Sequence, residues 1–234
     1  ILLRAISADG CYRFAALQGT ELVQEALRRH EPGPGPALAL ARALISATLL
    51  SVSEKEFHRI GVQWSGRGPF RSVHVDVRPG GRIRGYVGAP QATASSLVEG
   101  LGQGVITVIE QDRKGRFTRG SLPLCGGIDE DLEAWLARSE QVPSRLRVFC
   151  DLDEDCLPTS CSGLLVQTLP GGAAEALLGV EGSLAPEVAS RELPGSLSPS
   201  ELLRRSAPRV SIEELSSEGV RFACACSLER VEQG

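Results

Sequence analysis

The chain has 234 residues, 42 % of them apolar and only 4 % aromatic, with a formal net charge of −4. That length can bury a core and hold one large domain plus a smaller one, and the low aromatic share makes the core aliphatic. The acidic balance argues against a general nucleic-acid surface, no apolar run reads as a membrane span, and Ile1-Leu2-Leu3 running straight into Arg4 does not read as a signal peptide. No Met occurs anywhere, so the ends are not read as native termini.

In chain order, Ile1–Ser7 reads as a strand, Asp9-Gly10 as a tight turn, and Tyr12–Leu17 as a second strand. Glu21–His30 is predicted as a helix with Leu22, Val23, Ala26 and Leu27 on one face. His30 in its last turn suits the helix dipole better than it suits a metal. Pro32-Gly33-Pro34-Gly35-Pro36 is expected to break the chain and to lie outside any helix. A second helix from Ala37 to about Val52 is apolar over most of its circumference and is expected to be the central buried helix.

From Phe57 the period changes to two, with Val73, Val75 and Val77 alternating against Ser72, His74 and Asp76. Further strands are predicted at Ile83–Val87, Val105–Glu110 and Phe117–Leu122. Gly100, Gly102 and Gly104 lack the spacing of a nucleotide loop and precede a strand, so they read as a turn. Asp129, Glu130 and Asp131 open a helix that ends at Arg138, and the acid cluster is assigned to the helix dipole and to solvent. A strand at Leu146–Asp151 is followed by the acidic loop Asp151–Cys156, which lacks the spacing of a calcium hand. Gly163–Leu169 is taken as the last core strand. Composition shifts after Gly172 to a helical connector interrupted at Pro186, Pro194 and Pro199. Ser198-Pro199-Ser200-Glu201 is a capping box that starts a short helix, marginal unless docked. Ser211–Leu215 and Val220–Ala223 then read as a small hairpin.

The tail carries the most specific chemistry. In Phe222-Ala223-Cys224-Ala225-Cys226, an extended chain puts residues i and i+2 on one side. Cys224 and Cys226 can therefore present two sulfurs to one centre. That is half of a four-thiolate zinc site, and a redox couple if the metal leaves. The plain alternative is two small residues on a buried face. The total of seven cysteines is odd and scattered, which suits reduced thiols rather than a disulfide framework. Cys11, Cys125 and Cys150 read as ordinary core or surface thiols.

Several motifs in this order carry a resemblance. They are Leu3-Arg4-Ala5, Asp9-Gly10-Cys11-Tyr12-Arg13, Arg84-Gly85-Tyr86-Val87 with Pro90, and Ser139-Glu140-Gln141 with Pro143-Ser144. Gln167 with Leu169-Pro170-Gly171 follows, and then Phe222-x-Cys224-x-Cys226-Ser227 with Glu229-Arg230-Val231. Along almost its whole length the chain resembles the redox-regulated 33-kDa heat-shock chaperone (33 kDa chaperonin) family. The resemblance implies an α+β fold: a mixed helix/sheet core domain over residues 1–172, a helical linker over 173–209, and a truncated C-terminal redox switch over 210–234. It implies that Cys224 and Cys226 are redox-active and bind zinc in the complete reduced protein together with a later C-x-x-C, which this sequence lacks. This chain itself is expected to hold no zinc. Cys156 and Cys161, spaced C-x4-C, are a weak substitute for the absent pair. Ala41 stands before Arg42 where the family usually has Gly, which helix propensity makes harmless.

The function implied is an ATP-independent holdase that binds unfolding client proteins under oxidative stress, in the cytoplasm or, in a eukaryote, an organelle such as the mitochondrial matrix. Neither nucleic acid nor membrane is an expected partner, and a homodimer is left open. No nucleophile–base set or phosphate cradle emerges, so an enzyme is not expected. The rival classes are a cysteine-dependent thiol-disulfide oxidoreductase and a zinc-dependent interaction module.

Overall fold

The computed structural model describes residues 1–53, 57–170, 172, 197–208 and 210–224. Two antiparallel strands, β1 (Leu2–Ser7) and β2 (Tyr12–Gln18), lead into helices α1 (Thr20–His30) and α2 (Pro34–Leu50). A meander of β3 (Phe57–Gly66), β4 (Ser72–Arg78) and β5 (Arg82–Val87) follows. Next come a one-turn helix α3 (Leu97–Leu101), β6 (Gly104–Asp112), β7 (Phe117–Pro123) and α4 (Ile128–Arg138). A long hairpin, β8 (Ser144–Leu152) and β9 (Pro158–Thr168), precedes α5 (Pro199–Ser206), β10 (Ile212–Glu218) and β11 (Arg221–Phe222).

The strands form two sheets. The first has the order β10-β1-β2-β9-β8, and the second β11-β5-β4-β3-β6-β7. Helix α2 packs against strands of both. Its side chains are buried almost all round, from Pro36 to Leu50, as its unbroken apolar composition requires. Gly163 on β9 lets it approach the first sheet: a Cβ there would stand 2.6 Å from Ile45 and 2.8 Å from Leu49.

Five expectations change here. Helix α2 begins at Pro34, inside the segment expected to exclude helix. Prolines in a first turn lose no helical hydrogen bond, because those N–H groups have no partner anyway. The stretch Pro34–Ser53 is also long and apolar enough by length and composition to cross a membrane, contrary to the sequence estimate, but here its apolar surface is spent on the two sheets. Gly100 lies within α3 rather than in a plain turn, although Gly102 does end that helix with a positive φ. Strand β9 begins at Pro158, five residues before Gly163. Proline is tolerated as the first residue of a strand.

The fifth change concerns the tail. Ile212–Glu218 and Arg221–Phe222 do not pair with each other. Strand β10 runs antiparallel to β1 in the first sheet, and β11 runs parallel to β5 in the second. The segment therefore ties both sheets together. The N-cap half of the capping box is present: the Ser198 hydroxyl accepts from the Glu201 N–H at 3.2 Å, with Pro199 at the first helical position, while the Glu201 carboxylate accepts from Arg204 and Arg205. The expected connector over 173–196, together with the tail from Ala225 onward, lies outside the described residues.

Candidate functional site

The tail meets the core at β11. The Arg221 N–H donates to Gly81 C=O at 2.8 Å and the Ala223 N–H to Ile83 C=O at 2.7 Å. The chain passes so close to the β4–β5 turn that a Cβ on Gly81, where φ is +60°, would stand 1.9 Å from the Gly219 carbonyl oxygen. Phe222 is only 8 % exposed. The His30 ring meets it edge-on at 6.0 Å, and the Arg29 guanidinium lies 5.5 Å above it, a cation–π contact of about 0.5–1 kcal/mol. His30 at the end of α1 thus packs the tail strand.

Cys224 follows, half-buried against the main core. It lines a cavity of about 330 Å³ that also takes in His30, His74, Asp76, Arg84 and Tyr86. Asp76 accepts from Arg59 Nε at 2.7 Å and from Arg84 Nη2 at 2.6 Å. His74 stacks on Tyr86 with ring centroids 4.7 Å apart and hydrogen-bonds Ser72 Oγ at 3.0 Å. Burial lowers the pKa of both histidines. For His30 a hydrogen bond with the Gly85 backbone opposes that shift and Arg29 adds to it; for His74 the Asp76 carboxylate opposes it.

Cys226 lies outside the described residues. Among the described residues, no three His, Cys, Asp or Glu side chains converge on a metal position. A structural zinc needs four converging donors; Cys224 is the described member of the C-x-C pair, and the cavity it lines also carries the Arg59 and Arg84 guanidinium groups. Cys156 and Cys161 do not make a substitute pair. Cys156 sits in the β8–β9 turn with φ of 60°, and the strand register places Cys150 opposite Cys161.

The acid cluster also differs from its reading as dipole and solvation. Asp129 is 0 % exposed and forms a buried ion pair with Arg42 of α2, whose Nη1 reaches the Val148 carbonyl as well. Asp131 is buried too and accepts from the Cys125 N–H at 2.7 Å. The partner of Asp129 lies 87 residues away in the chain, which local composition could not indicate.

A second surface was missed by the sequence reading. The outer face of the first sheet carries Leu3, Ala5, Tyr12, Phe14, Leu164 and Val166, an apolar cluster separate from the main core. Leu202, Leu203 and Ala207, on and just after α5, cover it. Phe14-Ala15-Ala16-Leu17 is apolar on both faces of β2, and that loss of alternation was the available signal for a strand covered on both sides.

Comparison with known proteins gives a consistent picture. The family model described as "Hsp33 protein" matches residues 1–234. The 33 kDa chaperonin of Desulforamulus reducens is 32 % identical, over 99 % of this chain and 82 % of its own. That of a Geobacillus species is 29 % identical, over 98 % and 81 %. Among solved structures, the 33 kDa chaperonin (heat shock protein 33 homolog) of Thermotoga maritima superposes with a TM-score of 0.84 at 25 % identity, covering 99 % of this chain and 82 % of that one.

Proposed function

The chain belongs to the Hsp33 family, whose members carry the name of chaperonins, and on that premise we propose that it is an ATP-independent holdase switched on by oxidation of its tail thiols. The observation that carries this reading is the apolar face of the first sheet under a helix of two turns. Burying each of Leu202 and Leu203 contributes about 1.5–3 kcal/mol. Ordering the backbone of a residue costs about 1–2 kcal/mol. The docked state of α5 is therefore a small difference between opposing terms, and a modest change nearby is enough to tip it.

Cys224 and Cys226 are the trigger in this reading. Oxidation converts two thiols into a disulfide, with two protons and two electrons passing to the oxidant. The tail then loses the conformation its reduced thiols allow. The strain reaches β11, next β10, and then α5, which connects to β10 through five residues of chain. Once α5 lifts, Tyr12, Phe14, Leu164 and Val166 face water and can take the exposed apolar segments of an unfolding protein. Residues 1–172 form the core, 173–209 the linker and 210–234 the start of the switch, with β10 and β11 returning that segment to the core sheets. The chaperonin names point away from an enzyme. The Cys125 thiol, pushed up to about 11 mainly by burial, is poorly suited to thiol-disulfide turnover.

The test is light scattering from a heat-unfolding client without ATP. The oxidised protein is expected to suppress scattering and the reduced protein to do so weakly. The reduced Leu202→Asp/Leu203→Asp variant is expected to match the oxidised wild type, because charge on the docking face keeps α5 off. If the oxidised protein leaves scattering unchanged, the holdase reading fails. If the variant stays inactive when reduced while the oxidised wild type protects, the client surface lies elsewhere.

A further inference from the structure

The β8–β9 hairpin carries two thiols that the tail switch does not use. Cys150 and Cys161 are register partners, so their side chains leave the sheet on the same face. That face is the inner one, since Cys161 belongs to the main core and Cys150 packs against it.

The hydrogen bonding fixes which kind of pair this is. Cys161 donates its N–H to Thr20 Oγ1 at 3.0 Å, and its C=O accepts from the Gly19 N–H at 2.9 Å. A strand residue points both backbone groups to one side, so those of Cys161 are turned away from β8. Cys150 and Cys161 are therefore a non-hydrogen-bonded pair, the type in which opposed Cα atoms stand closest, at about 4.5 Å. That spacing lies inside the range disulfides adopt.

We infer that Cys150 and Cys161 form a second redox site, a cross-strand disulfide that staples the edge of the first sheet and forms independently of Cys224 and Cys226. The oxidant that suits it is a small neutral peroxide. Asp151, Asp153, Glu154 and Asp155 place negative charge on the outer end of the hairpin, while further in Asp129 is outweighed at Cys150 by Arg42. Anionic disulfide reagents are repelled there, whereas hydrogen peroxide is not. The reaction is slow rather than sensor-fast. Burial first, and then the hydrogen bond to the Cys161 thiol, hold the Cys150 thiol well above the ordinary range, so little thiolate is present at neutral pH.

The chemistry balances in two steps. Cys150 Sγ, as thiolate, attacks one peroxide oxygen and the O–O bond breaks. This leaves a sulfenic acid on Cys150 and a hydroxide that takes up the thiol proton to become water. The Cys161 thiol then attacks the Cys150 sulfur: an S–S bond forms, the S–O bond breaks and a second water departs. Two electrons pass from the thiol pair to the peroxide.

The test uses the full chain carrying Cys224→Ser, Cys226→Ser and Cys156→Ser, so that neither the tail nor the turn thiol can substitute. After peroxide treatment the protein is alkylated under denaturing conditions and cleaved after Glu154 without reductant. The expected result is that the Cys150 and Cys161 fragments stay joined until a reductant is added, from a chain that ran at single-chain mass before cleavage. The oxidised protein should also melt higher than the reduced form by about 5–10 °C, the gain expected for closing so short a loop in a domain of this size. Adding Cys161→Ser should abolish that rise. Fragments that separate, each with an alkylated thiol, would overturn the inference, as would a link found only between two chains. Mapping on the protein with its natural Cys156 serves as the second arm if the triple variant folds poorly: there the joined pair must again be Cys150 and Cys161, and a Cys150–Cys156 link refutes the assignment.

Discussion

Cys125 illustrates how a neighbour sets the chemistry of a thiol. The residue is exposed, and on exposure alone it would alkylate readily. Its thiol is nevertheless pushed up to about 11, by partial burial first and then by its hydrogen bond to Asp131. Asp131 is itself raised by burial. Only the thiolate reacts, and a rise from 9 to about 11 lowers the thiolate fraction at pH 8 by about 100-fold. Timed alkylation with mass-spectrometric readout at pH 8 should therefore find Cys125 about 100-fold slower than an unhindered thiol. Asp131→Asn should speed it by roughly tenfold or more. Equal rates in wild type and variant would show that the carboxylate does not control this thiol.

At the scale of elements, the Arg42–Asp129 pair joins the central helix to α4. Removing one partner of a buried pair leaves an uncompensated charge, at a cost of about 3–5 kcal/mol. Arg42→Ala or Asp129→Ala alone should lower the urea midpoint by that much stability, whereas Arg42→Met with Asp129→Leu should recover most of it. A double variant no more stable than the singles would contradict this account. The pair also marks where sequence reading stops. Periodicity is a local signal, so α1, α2, α4 and the strands around Val73–Val77 were legible, as was the Ser198 cap. The C-x-C pair rests on the sequence alone, since Cys226 lies outside the described residues. The partner of Asp129, the separate destinations of β10 and β11, and the approach of Cys150 to Cys161 depend on residues that meet only in the fold. Strand β9 is predicted to start too late because Pro158-Thr159-Ser160 lacks a strand's apolar face, which leaves Cys161 outside the predicted Gly163–Leu169 strand.

For the whole molecule, acid should loosen the tail's seat before it unfolds the core. His30 and His74 both have folded pKa values held below 6.5 by burial. The unfolded chain then binds more protons than the native one between the folded and unfolded values. The stability these groups supply is complete above about pH 6.5 and is lost as pH falls through that window. Arg29 faces His30, while Asp76, with Arg84 bonded to it, faces His74. Asp131, raised by burial, works in the opposite sense, so the informative comparison is between proteins. The melting temperature should drop from pH 7.5 to pH 5.5 in the wild type and drop less in His30→Gln/His74→Gln; equal drops would remove the histidines from the account. The tie made by β10 has a separate consequence for how a client leaves. Helix α5 ends at Ser206 and β10 begins at Ile212, and five residues of extended chain reach at most about 18 Å. A lifted α5 thus stays beside the face it covered, at an effective concentration of order millimolar. Every bound client competes with this tethered occupant, and once the tail is reduced again the competition turns against the client. In the proposed cycle, release needs no nucleotide and no second protein, only a leash short enough to keep the displaced helix at the door.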